Sequence, residues 1–182
     1  MSRITNFLSK MLIPSLLMLI IFVIIASFSW KLAFNEPVPE FAAFDTNLYY
    51  SPDSVLEKYQ WYSPEQRKLY VSNAFTFDLA FPILYVLLLL TVCAFFIKRL
   101  KQPKWLMVIY ILPLLTGILD IAENITVSYI MLQGVGKTSA LLASTLTATK
   151  WIFLYISIGV IGLLFATYCY TIIREKIAGQ KP

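Results

Sequence analysis

The sequence predicts an all-α integral membrane protein. The expected architecture is an antiparallel bundle of four transmembrane helices with a short helical extracytoplasmic lid, in a single membrane domain over residues 1–182. Three observations carry this reading. Hydrophobic residues make up 59% of the 182 residues and charged residues 14%, against roughly 25% charged residues in soluble domains. The mean hydropathy is +0.73. Four apolar stretches reach or exceed the ~20 residues a helix needs to cross ~30 Å of hydrocarbon. Backbone groups in hydrocarbon must pair within their own segment, so these stretches read as helices despite their β-branched content.

The first span covers about residues 11–34. Arg3 and Lys10 precede it, and the apolar run is longer than a signal-peptide core, with no clean small-residue cleavage site. An uncleaved signal-anchor helix is expected. The lid covers about 35–70 and contains an echo: Tyr49-Tyr50-Ser51-Pro52-Asp53, then Trp61-Tyr62-Ser63-Pro64-Glu65. Ser-Pro-acid is a helix start, because serine caps, proline suits the first helical position and the acid meets the positive helix end. Ser63 and Gln66 fit a capping box. A short helix at 52–59 follows, and a second from Pro64 is expected to run unbroken into the second span, 71–97. The third span is 105–132 and the fourth 141–173. Gly159 and Gly162 in the fourth predict close helix packing. The Gly134–Gly136 loop with Lys137-Thr138 lacks phosphate-loop spacing and reads as a turn.

Orientation follows from lysine and arginine. Arg3 and Lys10, then Lys98, Arg99, Lys101 and Lys104, then Arg174, Lys176 and Lys181 place nine basic residues in three short segments. Positive-inside puts both termini and the second loop in the cytoplasm, in the cell inner membrane, and the other two loops outside. The net charge of +5 is thereby a topology signal, and no nucleic-acid partner is expected. The chain has no histidine and two cysteines, Cys93 and Cys169. That removes histidine-based metal sites, Ser-His catalysis and a paired-cysteine relay. No metal site is assigned, and no cofactor is identified.

Four ionisable residues interrupt the spans: Asp78, Asp120, Glu123 and Lys150. Charges within membranes are costly and usually functional. Counted at 1.5 Å per residue from the inner helix ends, all four lie roughly 24 to 36 Å up, in one layer near the outer leaflet. Asp120, Glu123 and Asn124 share a helix face at i, i+3 and i+4, with Thr116 one turn below. Thr147 and Lys150 share a face of the fourth span. Pro82 frees the carbonyl of Asp78 and sits near Tyr85. Three carboxylates against one ammonium leave an excess of two negative charges. Either acids hold protons, or a cation fills the gap: Arg67 or Lys68 from the lid, a metal ion, or a cationic ligand. The ligand-binding candidates are Asp78, Tyr85, Asp120, Glu123, Asn124 and Lys150, and the lid candidates are Asp45, Tyr50, Trp61, Arg67 and Tyr70. The competing reading is a structural ion pair between Asp120 and Lys150.

Two resemblances attach to these residues. The set Asp45…Tyr50, Tyr70-x7-Asp78-x2-Phe81-Pro82-x2-Tyr85 and Asp120-x2-Glu123-Asn124 resembles a group of bacterial four-span membrane proteins of unknown function. The layout is also distantly similar to the EXPERA superfamily, which includes the sigma-2 receptor and sterol isomerases. That resemblance implies four helices, an aromatic first loop, and cavity acids that bind cationic amines or sterol intermediates. Asp78 and Asp120/Glu123 would be the counterparts, while the isomerases' histidine has no match in this chain.

The function expected is a membrane protein with a polar, acidic pocket near the outer leaflet. It would bind a small molecule, a lipid or a cation, with catalysis left open. One alternative is a proton- or cation-coupled transporter acting as a homo-oligomer. Another is a non-catalytic assembly or scaffold protein. Membrane lipid is the expected partner in each case.

Overall fold

The computed structural model describes residues 3–33, 44 and 48–178. Among these residues the structure is helical, with no strand. The helices are α1 (Arg3–Leu8), α2 (Leu12–Ala33), α3 (Pro52–Gln60), α4 (Pro64–Ala74), α5 (Phe77–Arg99), α6 (Ile111–Gln133) and α7 (Lys137–Ala178), with a 3₁₀ stretch at Lys104–Tyr110 before α6. Among the described residues three helical stretches are long and apolar enough to cross a membrane: Pro64–Arg99, Lys104–Gln133 and Lys137–Ile177. In their most apolar windows only 39, 28 and 11% of residues are buried inside the protein. The apolar surface therefore points outward, as lipid-facing helices require and soluble ones avoid.

The helices are antiparallel neighbours with a definite register. Between α5 and α6, Tyr85 meets Asp120 and the Asp78 carbonyl meets Asn124. Between α6 and α7, Lys150 meets Asp120 and Thr147 meets Glu123. Helices α5 and α7 run parallel, with Phe95 and Phe96 against Phe165 and Tyr168. Helix α2 docks mainly on α5. Phe22 packs on Phe77 and Phe81 at one end, and the Ser15 and Thr91 hydroxyls bond at 2.9 Å at the other. Hydroxyl pairs of this kind are a common interhelical contact in lipid.

The lid helices start where the Ser-Pro-acid echo predicts. The Ser51 side chain accepts from Ser54 N and caps α3. Ser63 and Gln66 form the reciprocal capping box of α4. Beneath them Phe44, Tyr50, Tyr62 and Tyr70 pack edge to face over Val127, Ile130 and Met131 of α6 and Ala143 of α7.

Three expectations need correction, and one helix outruns its apolar stretch. The helix from Pro64 does not run unbroken into the second span: α4 ends at Ala74 and α5 begins at Phe77. The Thr76 hydroxyl bonds the carbonyls of Ser72 and Asn73, and such back-bonding competes with the helical ladder. The third span does not begin as an α-helix at residue 105. A 3₁₀ stretch runs to Tyr110, since Pro113 has no N–H to continue an α-helical ladder through the Ile109 carbonyl. The helix that carries the fourth span extends past 141–173 at both ends, since α7 covers 42 residues. At 1.5 Å per residue that is ~63 Å, about twice the hydrocarbon thickness. Finally, Gly159 and Gly162 meet nothing within 4 Å, whereas a Cβ at Gly117 would lie 2.6 Å from Val86 Cγ2. The close helix approach is at Gly117, between α5 and α6, one turn below Asp120.

Candidate functional site

Asp120, Glu123 and Lys150 form a buried ion cluster. Lys150 Nζ lies 3.1 Å from Asp120 Oδ1 and also pairs with Glu123 Oε2. Glu123 is 1% exposed and Lys150 5%. Tyr85 donates to the second oxygen of Asp120 at 2.8 Å. Thr147 donates to the second oxygen of Glu123. Both oxygens of each of these two carboxylates therefore have a partner, as buried charges require. The i, i+3 spacing on α6 puts both acids on one face, and the 147/150 spacing on α7 answers it with a hydroxyl and an ammonium.

The network extends to the lid. The Thr147 hydroxyl is 3.1 Å from the Tyr50 hydroxyl, and Ser144 donates to the Tyr50 carbonyl at 2.5 Å. A continuous polar path runs from Tyr50 through Thr147, Glu123, Lys150 and Asp120 to Tyr85. It joins the lid, α7, α6 and α5.

Asn124 faces α5 and donates to the Asp78 carbonyl at 2.8 Å. That carbonyl is the acceptor Pro82 leaves without its helical N–H, four residues on. Asn124 thus repairs a proline defect across the helix interface, which lets Pro82 stay within α5.

A cleft of about 320 Å³ opens beside the cluster. Asp78, Tyr85, Asp120, Asn124 and Lys150 line its polar side, and Phe81, Leu88, Leu89, Trp151 and Leu154 its apolar side. Lys150 Nζ sits 5.9 Å from the Trp151 ring centroid, a cation–π distance that helps hold this wall. Phe22 of α2 backs Phe81 from outside at 6.3 Å. A few polar groups thus stand against a largely apolar wall.

The sequence-predicted residues divide. Asp78, Tyr85, Asp120, Asn124 and Lys150 converge on the cleft, with Glu123 directly behind. Tyr50 reaches the cluster through Thr147. Tyr70 lies in the lid core. Trp61 is 48% exposed at the end of α3 and does not line the cleft. Arg67 does not supply the cation either. Its guanidinium stacks 3.6 Å from the Tyr59 ring centroid and donates to the Tyr59 hydroxyl at 2.6 Å. Asp45 lies outside the described residues. Sequence reasoning missed Trp151 and Leu154 as cleft walls, Ser144 as a lid anchor, and Lys58. Lys58 is 6% exposed and sits over the rings of Phe44 and Tyr50. The i+1 and i+4 offsets of Trp151 and Leu154 from Lys150 were the available signal.

Comparison with protein-family models, with curated proteins and with solved structures gives no match.

Proposed function

We propose that this chain is a four-span membrane protein, with both termini in the cytoplasm, whose cleft binds a small amphiphile with a polar or cationic head. The observation that carries the reading is the two-sided lining of the cleft. Asp78 and Asp120 face it with one lysine, so the site is acidic, and Glu123 behind adds to that charge. Phe81, Leu88, Trp151 and Leu154 offer an apolar body a place beside the charges. A head bearing N–H or O–H donors suits Asp78 and Asp120, and Asn124 is fixed as a donor toward α5. The distant likeness to the EXPERA superfamily adds the expectation that cavity acids receive the ligand.

Binding is favoured over transport by the inner half of the helices. Below Leu88 and Leu154, α5 and α7 meet through the rings of Phe95, Phe96, Phe165 and Tyr168, whereas carriers place sites at the midplane between broken helices. One observation favours the scaffold reading: Asp120 and Glu123 are already satisfied within the protein.

Leu154→Trp separates the two, because it fills the cleft and keeps every member of the ion cluster. Protein purified from native membranes in mild detergent is expected to carry a co-purifying amphiphile, identified by mass spectrometry. Leu154→Trp is expected to lose it while keeping the wild-type melting temperature. Identical extracts from both proteins would refute the binding site and leave the scaffold reading.

A further inference from the structure

The end of the bundle away from the cleft is a basic surface. Helix α1 docks there. Tyr110 donates to the buried Thr5 hydroxyl at 3.2 Å, Lys98 donates to Asn6 Oδ1 at 2.9 Å, and Leu8 packs on Cys93, Ile97 and Tyr110. This brings Arg3 and Lys10 to the turn that carries Lys98, Arg99, Lys101 and Lys104. Neither segment 1–10 nor segment 97–105 contains an acid. Among the described residues none of these six cations is ion-paired with a carboxylate. Phe7 and Trp105, 63% and 70% exposed, stand at the same rim.

One residue choice at this surface is not dictated by the fold. Lys101 has φ 51°, in the left-handed region. It occupies the residue after the C-cap of α5, where Gln102 N bonds the Ile97 carbonyl and Lys101 N bonds the Lys98 carbonyl. That is a Schellman motif, and glycine is the usual residue there because a Cβ is strained. The Lys101 side chain is exposed. A strained residue whose side chain does nothing for the fold points to a use outside it.

We propose that this surface binds the headgroups of anionic phospholipids, with Lys101 held at the turn as one of the headgroup cations. Lys98, Arg99 and Lys104 surround it, and Phe7 and Trp105 insert at the level of the acyl boundary. Clustered lysines and arginines beside a span attract anionic headgroups, and aromatic side chains favour that interface. The proposal rests on the membrane reading and is independent of the cleft.

The experiment measures retention of phosphatidylglycerol and phosphatidylcholine by native mass spectrometry, in wild type and Lys101→Gly. Wild type is expected to retain phosphatidylglycerol preferentially. Lys101→Gly is expected to weaken phosphatidylglycerol binding about fivefold and leave phosphatidylcholine binding unchanged. The same variant, freed of the strained residue, is expected to melt about 2 °C higher in lipid-free detergent. Movement in opposite directions excludes misfolding as the cause. Unchanged phosphatidylglycerol binding, or an equal loss of both lipids, would overturn the proposal, and a lower melting temperature would overturn the strain argument.

Discussion

The half of the three helices beside the lid, here the outer half, and the half beside α1, here the inner half, are held together by different physics. In the outer half, α5, α6 and α7 meet through charge and hydrogen bonds: Tyr85 to Asp120, Lys150 to Asp120 and Glu123, Thr147 to Glu123. In the inner half, α5 and α7 meet through rings, Phe95 and Phe96 against Phe165 and Tyr168, and α6 adds Tyr110 to the Cys93 and Ile97 cluster. Aromatic packing is adaptable, and each pair adds only ~0.5–1.5 kcal/mol beyond its buried area. A buried ion cluster has little tolerance, because removing one member leaves the others charged in a low dielectric. The outer half is therefore the specific half, and a cleft lies beside it.

The largest test of that contrast is Lys150→Met. It leaves Asp120 and Glu123 facing each other without their cation. The expected loss is about 3–5 kcal/mol of unfolding free energy, measured by denaturant titration in mixed micelles. Phe165→Ala in the inner half, at a side chain 56% exposed, is expected to cost ~1 kcal/mol. Comparable losses would erase the difference between the halves.

A smaller effect sharpens the account of α5. Asn124→Ala removes the donor to the Asp78 carbonyl and is expected to cost ~1 kcal/mol. In a Pro82→Ala background the helix regains its own N–H at that carbonyl, so the Asn124→Ala penalty should shrink toward zero. Melting of the four proteins of this cycle is the measurement. A penalty unchanged by Pro82→Ala would mean that Asn124 serves something other than the proline defect.

The sequence made some of this legible because the relevant signals are local or arithmetical. Span length, the Ser51 and Ser63 caps, and the i, i+3, i+4 face of Asp120, Glu123 and Asn124 all follow from short-range rules. The common level of Asp78, Asp120, Glu123 and Lys150 followed from counting residues along helices of alternating direction. What was not legible is contact between distant segments. Tyr50 reaches Ser144 and Thr147 across 94 and 97 residues, and no periodicity encodes that. The Gly117 notch was invisible because its partner, Val86, lies on another helix. The stacking of Arg67 on Tyr59 was not legible because a free cation and a stacked one look the same in sequence. The break at Thr76 was hidden because threonine is ordinary within a span until its hydroxyl bonds backward.

The buried ion cluster that joins α6 to α7 is tested most directly by comparing Lys150→Met with the neutral triple variant Lys150→Met/Asp120→Asn/Glu123→Gln. If the three charges face one another, their losses cannot add. The triple variant should recover most of the stability lost by Lys150→Met, since it leaves no unpaired buried charge. A triple variant less stable than Lys150→Met, by about the sum of the separate Asp120→Asn and Glu123→Gln losses, would contradict the cluster.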